Sequence, residues 1–330
     1  MRFSIRLNND LTLKEYVGLA QAAERAGFDQ FWVSNDLFLR SAPIILSAVV
    51  AATERIQIGT CILNPYTMNP SEIAMLAATL DELSGCRFNL GLAAGAADFL
   101  KWVGIPQVKP LAAMRETIAA IRALLSGEYS RTAGDFLQWS REAYLRFKAP
   151  RVTPIYLGAL SPGMLRLAGE MADGVLPLLF PPEHYFEVRP HIEAGVARRP
   201  AEWGELDFAA CIWASLSEDG EAARRVLAQK VAYYGHALSP MILERLGLTL
   251  KDFEPIEHAL MTERDEAKAL SMVTDKMLAI GVVGRARDLV ARLEPLVKAG
   301  VKHISFGPPL GPDPLAAVEL LGTEVLPALQ

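Results

Sequence analysis

Short apolar runs alternate along the chain with stretches in which apolar residues recur about every three to four positions. The runs predict strands, and the recurrences predict helices with one buried face. Phe3–Leu7 is the first predicted strand, and Thr12–Ala26 the first helix, with Leu13, Tyr16, Val17, Leu19, Ala20 and Ala23 on one face. Gly27 stops that helix. Gln30–Ser34 predicts strand two, Pro43–Ala52 a helix and Ile56–Leu63 strand three. Ser71–Leu83 predicts a strong helix capped by Ser71. Arg87–Leu92 predicts strand four and Leu111–Leu125 another amphipathic helix.

The second half keeps the rhythm. Pro154–Leu157 predicts strand five, Ser161–Met171 its helix, and Val175–Leu179 strand six after the Asp173-Gly174 turn. Asp207–Ser215 predicts strand seven, His303–Phe306 strand eight, and Pro314 to about Leu329 a closing helix. Alternating strands and helices imply a parallel sheet, and eight such units fit a closed (β/α)8 TIM barrel, an α/β fold. Ser217–Val283 is too long for one crossover helix. It predicts a helical insertion between strands seven and eight, covering the site or mediating self-association. The whole of 1–330 is expected to form a single barrel domain.

Composition narrows the function classes. Thirty-three basic against thirty-eight acidic residues give a formal charge of −5, a balance that argues against nucleic acid or an anionic membrane as partner. No run of about 18 apolar residues occurs. Cys61, Cys86 and Cys211 lie far apart without a CxxC pair, which fits a reducing cytoplasm; the first ten residues are too polar for a signal peptide.

In a barrel the chemistry sits where strands end at their C-terminal side. After strand five comes Gly158-Ala159-Leu160-Ser161-Pro162-Gly163-Met164. Small residues admit a ligand close to the backbone, and Ser161-Pro162 starts a helix whose free N–H groups attract an anion. This is a phosphate clamp or a capped turn without a ligand. After strand four, Gly91-Leu92-Ala93-Ala94-Gly95-Ala96-Ala97-Asp98 is nearly bare of side chains. It could lie against a ring or a phosphate, or be a packing turn. Strand three runs through Thr60 and Cys61 to Asn64-Pro65 and Asn69-Pro70. Asn64 could offer its amide to a ring edge, whereas Asn69-Pro70 reads as a plain turn. Cys61, in apolar surroundings, reads as a buried thiol rather than a nucleophile. Asp36, at the end of strand two, is a candidate acid, base or acceptor, or a capping or ion-pairing residue. The five histidines are scattered, so no metal site is argued. Neither G-x-S-x-G nor a P-loop is present.

Asn64-Pro65-Tyr66-Thr67-Met68-Asn69-Pro70, then Ala78-Thr79-Leu80-Asp81-Glu82-Leu83-Ser84-Gly85 and Leu90-Gly91-Leu92, resembles the luciferase-like superfamily. Further matches follow at Ile155–Ala159, at Ala172-Asp173-Gly174 and at Gly307–Asp313. The chain looks closest to the proteins similar to methylenetetrahydromethanopterin reductase, which use the deazaflavin coenzyme F-420. The resemblance implies a ring lying across the barrel mouth against a bulge at the end of strand three, with Thr60, Cys61 and Asn64 as cofactor-binding residues and a non-prolyl cis peptide near Cys61-Ile62. It places the cofactor phosphate at Ala94, Gly95, Gly158, Ala159 and Ser161, with Gly163 and Met164 at the same helix start. Asp36 would be the acid near the ring. It also implies a homodimer.

The departures are equally definite. Arg6 stands where the reductase has a glutamate, Leu37 where relatives carry a histidine, and Ala96 where the reductase has an acid. Arg6 could bind an anionic substrate or a ring oxygen, or pair with Asp36; Asp36 and Arg6 are the candidate catalytic residues. The expected function is an oxidoreductase that passes hydride between coenzyme F-420 or FMN and a small organic substrate. The alternatives are a reduced-FMN monooxygenase and a cofactor-binding barrel without turnover.

Overall fold

The computed structural model describes residues 1–330 except Arg131 and the side chain of Ala237. Nine strands form one parallel sheet: β1 (Arg2–Leu7), β2 (Gln30–Val33), β3 (Gln57–Thr60), β4 (Phe88–Leu92), β5 (Ile155–Gly158), β6 (Gly174–Leu176), β7 (Asp207–Leu216), β8 (Val282–Gly284) and β9 (His303–Leu310). Their order is β6-β5-β4-β3-β2-β1-β9-β7-β8, with β6 also pairing to β7. That last pairing closes a ring of every strand but β8, which is the (β/α)8 barrel expected. β8 lies outside the ring because β7 is ten residues long and overruns it. The last three residues of β7, Ala214–Leu216, carry Val282–Gly284.

The helices are α1 (Leu13–Arg25), α2 (Ala42–Ala52), α3 (Pro70–Ser84), α4 (Ala97–Trp102), α5 (Pro110–Leu125), α6 (Pro162–Met171), α7 (Tyr185–Val196) and α8 (Gly220–Tyr234). Short turns α9 (Pro240–Arg245), α10 (Glu254–Glu257), α11 (Glu266–Ser271) and α12 (Asp275–Leu278) follow, then α13 (Ala286–Lys298), α14 (Pro314–Leu320) and α15 (Leu326–Leu329). α8 to α12 occupy the stretch read as an insertion. They bury an apolar cluster of their own, built on Leu227, Val231, Phe253 and Ile256, which reaches Phe180 and Trp213 of the barrel.

Two sequence readings are corrected here. α3 is capped by Asn69, not Ser71: the Asn69 side chain accepts from the Ser71 amide, and Pro70 opens the helix. An Asn cap with proline in the first helical position outcompetes the serine two residues on. β3 ends at Thr60, earlier than expected, and the chain resumes pairing only at a Leu63–Leu92 bridge.

Strand alternation sorts β1 into two faces. Phe3 and Ile5 pack outward among the helices, Phe3 stacking on Phe306. Ser4 and Arg6 point into the lumen. At its lower end, Ser4 meets His303 at 2.9 Å, and the other His303 nitrogen meets Asp207 at 3.0 Å. Tyr156 donates to Asp207 at 2.7 Å, and Gln30 links Tyr156 to the Trp32 indole. Above this polar floor Trp32, Tyr156, Leu176, Ala209 and Cys211 fill the lumen. Trp32 needs Gly59 beside it, because a Cβ there would run into the indole ring.

Candidate active site

The mouth is built from strand ends β1 to β5 and the upper half of β7. The peptide between Cys61 and Ile62 is cis, where the resemblance put one. Cys61 and Ile62 are half-buried and contact the lumen cluster. Burial pushes the Cys61 thiol up to about 12, so it stays protonated and is no nucleophile.

Behind it stand the two bare junctions. Ala93, Ala94, Gly95 and Gly158 are all half-buried. A Cβ on Gly158 would stand 3.1 Å from the Ala93 Cβ and 3.3 Å from Ile62 Cγ2, so the backbone itself forms the wall. Gln107 fixes the strand-four loop, donating to the carbonyls of Ala94 and Gly95 at 2.9 Å each. The helix start after β5 is as read: Ser161 caps α6 and Pro162 follows. Met164 gives its amide to the Ser161 hydroxyl at 3.3 Å and packs its side chain into the main core, as Ala159 does. The first-turn amide left without a partner inside that helix is therefore that of Gly163.

The other expected residues sit differently. Thr60 is fully buried, and its hydroxyl bridges to the Gly91 carbonyl and amide at 3.0 and 3.1 Å. It shapes the wall and has no free group for a ligand. Asn64 spends its side-chain oxygen on its own turn, accepting from the amides of Tyr66 and Thr67. Only its amide nitrogen remains, facing Gly95.

Asp36 projects at the rim of the mouth, and nothing described pairs with its carboxylate. Its backbone is clamped by the buried Asn9, which accepts from the Asp36 amide at 3.2 Å and donates to its carbonyl at 3.0 Å. Asp36 lies open to solvent yet recessed among protein walls. That desolvation raises its carboxyl above the usual range; Asp10 adds to the rise and Lys230 opposes it. Arg6 is 9% exposed and does not pair with Asp36; its Nη2 donates to the Ile212 carbonyl at 3.4 Å.

Lys230, on α8, is a site residue that the sequence reading missed. Its ammonium lies 4.8 Å from the Trp213 ring and 4.9 Å from the Tyr234 ring. On sequence it is one more charge on an amphipathic helix.

Two other features are structural. Ser4, His303 and Asp207 align like a hydrolytic triad, but Ser4 and His303 are wholly buried beneath the lumen residues. A depression of about 750 Å3 opens at the N-terminal end of the barrel, lined by Arg2, Asp207, Glu205 and Lys302 among others. Its charges pair with each other, Arg2 with Asp207 and Lys302 with Glu205. That end of a barrel serves stability. Among the described residues no helix is long and apolar enough to cross a membrane, and no three His, Cys, Asp or Glu side chains converge as a metal set.

Comparison with known proteins agrees with this geometry. Residues 1–303 match the luciferase-like monooxygenase family. A 5,10-methylenetetrahydromethanopterin reductase of Archaeoglobus fulgidus is 33% identical over 334 residues, covering 100% of both chains. A coenzyme F-420-dependent glucose-6-phosphate dehydrogenase of Beutenbergia cavernae is 30% identical, over 93% of this chain and 91% of its own. The solved coenzyme F-420-dependent tetrahydromethanopterin reductase of Methanopyrus kandleri superposes with a TM-score of 0.90 at 29% identity, covering 100% of this chain and 99% of that one. A glycine-walled mouth on a closed barrel, matched in sequence and in fold along its length, places the chain in the luciferase-like family of oxidoreductases.

Proposed function

We propose that the mouth holds coenzyme F-420 or FMN, and that the protein passes hydride between that cofactor and a small organic substrate. The observation that carries this reading is the pair of bare junctions: a wall at Gly158 where a Cβ would press on Ala93 and Ile62, beside the capped start of α6. They fit a flat ring with an anionic tail, because backbone amides and a helix start accept the phosphate while the glycine wall admits the ring. Ala94, Gly95, Gly158, Ser161 and Gly163 would hold the cofactor. When bound, it supplies the two-electron chemistry; the chain supplies orientation and a shielded pocket. Asp36, with its raised carboxyl, would hold or release a proton at the rim.

The full-length likeness to reductases named for coenzyme F-420 favours the deazaflavin. Arg6 and Ala96, at positions where the resemblance implies acidic groups in the reductase, favour a second reading as a reduced-FMN monooxygenase. Cytoplasmic residence fits the three free cysteines, and pairing with a second copy fits exposed Ile44 on α2 and Leu83 on α3.

The test is turnover. Anaerobic change in coenzyme F-420 absorbance is followed against a panel of alcohols, aldehydes and acids, with oxygen uptake on reduced FMN in parallel. Deazaflavin oxidation or reduction supports the first reading, oxygen uptake with product oxygenation the second. Tight binding of both cofactors with neither activity would favour a barrel without turnover. In an active enzyme Asp36→Asn is expected to remove the acidic limb of the pH profile of kcat/KM; an unchanged limb would remove Asp36 from proton handling.

A further inference from the structure

Two cations reach the mouth, and among the described residues neither is held in an ion pair. Arg6 rises from β1 into the upper lumen, nine-tenths buried. Its Nε is buried without an acceptor, and its one hydrogen bond among the described residues is the long contact to Ile212. Space for the guanidinium comes from Gly307 of β9, where a Cβ would strike Nη2. Lys230 enters from α8, wedged against Trp213 and Tyr234. Among the described residues, no carboxylate lies within ion-pair distance of either. They meet consecutive residues of β7, Arg6 the carbonyl of Ile212 and Lys230 the ring of Trp213; burial and then Arg6 lower the Lys230 ammonium to about 8, against the pull of Asp10 and Asp36.

A buried cation without a counter-charge is costly, and a second cation facing it adds to the cost. The ring faces of Trp213 and Tyr234 offset part of the lysine's cost but do not require a charge there, and among the described residues the arginine has only its contact to Ile212. β1 could carry an apolar residue at position 6, as the lumen does at Leu176 and Ala209, and Trp213 could be covered by an apolar side chain from α8. An anion entering between the two would satisfy the planar fork of the arginine and the point charge of the lysine together. Trp213 and Tyr234 would flank the carbon skeleton attached to it.

We propose that Arg6 and Lys230 jointly recognise an oxyanion group, carboxylate or phosphate, on the substrate of this site. Its assignment to a substrate rests on the cofactor reading above; the charge recognition itself does not. The helical insertion then supplies specificity, since Lys230 comes from it and Arg6 from the barrel.

Isothermal titration tests this with inorganic phosphate and benzoate, and with benzyl alcohol as the neutral control. The proteins are the wild type, Arg6→Met, Lys230→Met, Lys230→Arg and Gly158→Val, each also titrated with coenzyme F-420 and FMN. The wild type is expected to bind at least one anion and not the alcohol. Each methionine variant is expected to weaken the anion by at least roughly tenfold while keeping the cofactor. Lys230→Arg keeps the anion, and Gly158→Val keeps the anion while losing the cofactor. Should Arg6→Met fold poorly, Lys230→Met, at a half-buried position of α8, still decides. Unchanged anion affinity in the methionine variants overturns the proposal, as does a wild type that binds neither anion. Loss of the cofactor rather than the anion in Arg6→Met also overturns it, because Arg6 would then serve the ring. Anion binding as expected with neither cofactor bound by any protein would sink the cofactor reading and leave the anion site standing.

Discussion

At Gly158, one missing carbon keeps the mouth open. A Cβ there would press on the Ala93 Cβ and Ile62 Cγ2, at 3.1 and 3.3 Å. Gly158→Val is expected to remove cofactor binding while leaving the far-UV circular dichroism intact. Retained affinity would move the ring elsewhere. Gly59 does a different job with the same economy, making room for the Trp32 indole. Gly59→Ala is expected to cost about 1–3 kcal/mol in urea unfolding through overpacking. Both positions could be found as glycines near strand ends, and the one at 158 was. What was not legible at this scale is which polar atoms stay free. The turn at Asn64 consumes its side-chain oxygen and leaves only the amide nitrogen, and the Thr60 hydroxyl is spent locking β3 to β4. Lys230 was invisible because its significance depends on a fold-back that brings α8 over β7.

At the scale of elements, periodicity located every ring strand, since buried parallel strands write themselves as apolar runs. Helices α7 and α13 were not marked. Pro190 and Pro295 lie inside them and interrupt the pattern from which helices are read. β8 was missed because three residues carry no period and its existence depends on how far β7 overruns the ring. Ala78–Gly85, within the stretch from Asn64 to Gly85 that carries the resemblance, is a joint between elements. Asp81 on α3 is wholly buried and takes two hydrogen bonds from Arg151, one from Thr153 at 2.6 Å and one from the Phe88 amide. It ties α3 to the start of β4 and to the approach to β5. Asp81→Ala is expected to lower unfolding stability by about 3–5 kcal/mol, because it strands a paired arginine and two further donors. A loss near zero in chemical denaturation would show the joint to be dispensable.

For the molecule as a whole, the barrel divides into a floor whose charges are mutually paired and a mouth where they are not. Asp207 shows the first condition. Burial alone would raise its carboxyl, but His303, Arg2 and Tyr156 overcome that and hold it well below the ordinary carboxylate range. A carboxyl depressed in the folded state contributes full stability above its unfolded value of about 3.9 and loses that contribution as pH falls toward the folded value. Asp207→Asn is therefore expected to cost about 3 kcal/mol at neutral pH and to flatten the loss of stability below about pH 4. An identical acid-unfolding curve in the variant would contradict that assignment. The mouth shows the second condition, with Asp36, Arg6 and Lys230 all without an ion pair among the described residues. Such groups in a cleft are retained for a ligand more readily than for the fold. Equilibrium titration of the purified protein with FMN and coenzyme F-420, each oxidised and reduced, addresses that most directly. The expected result is a dissociation constant on the order of micromolar for at least one of them, about −8 kcal/mol. Failure of all four forms to bind a folded protein would contradict it.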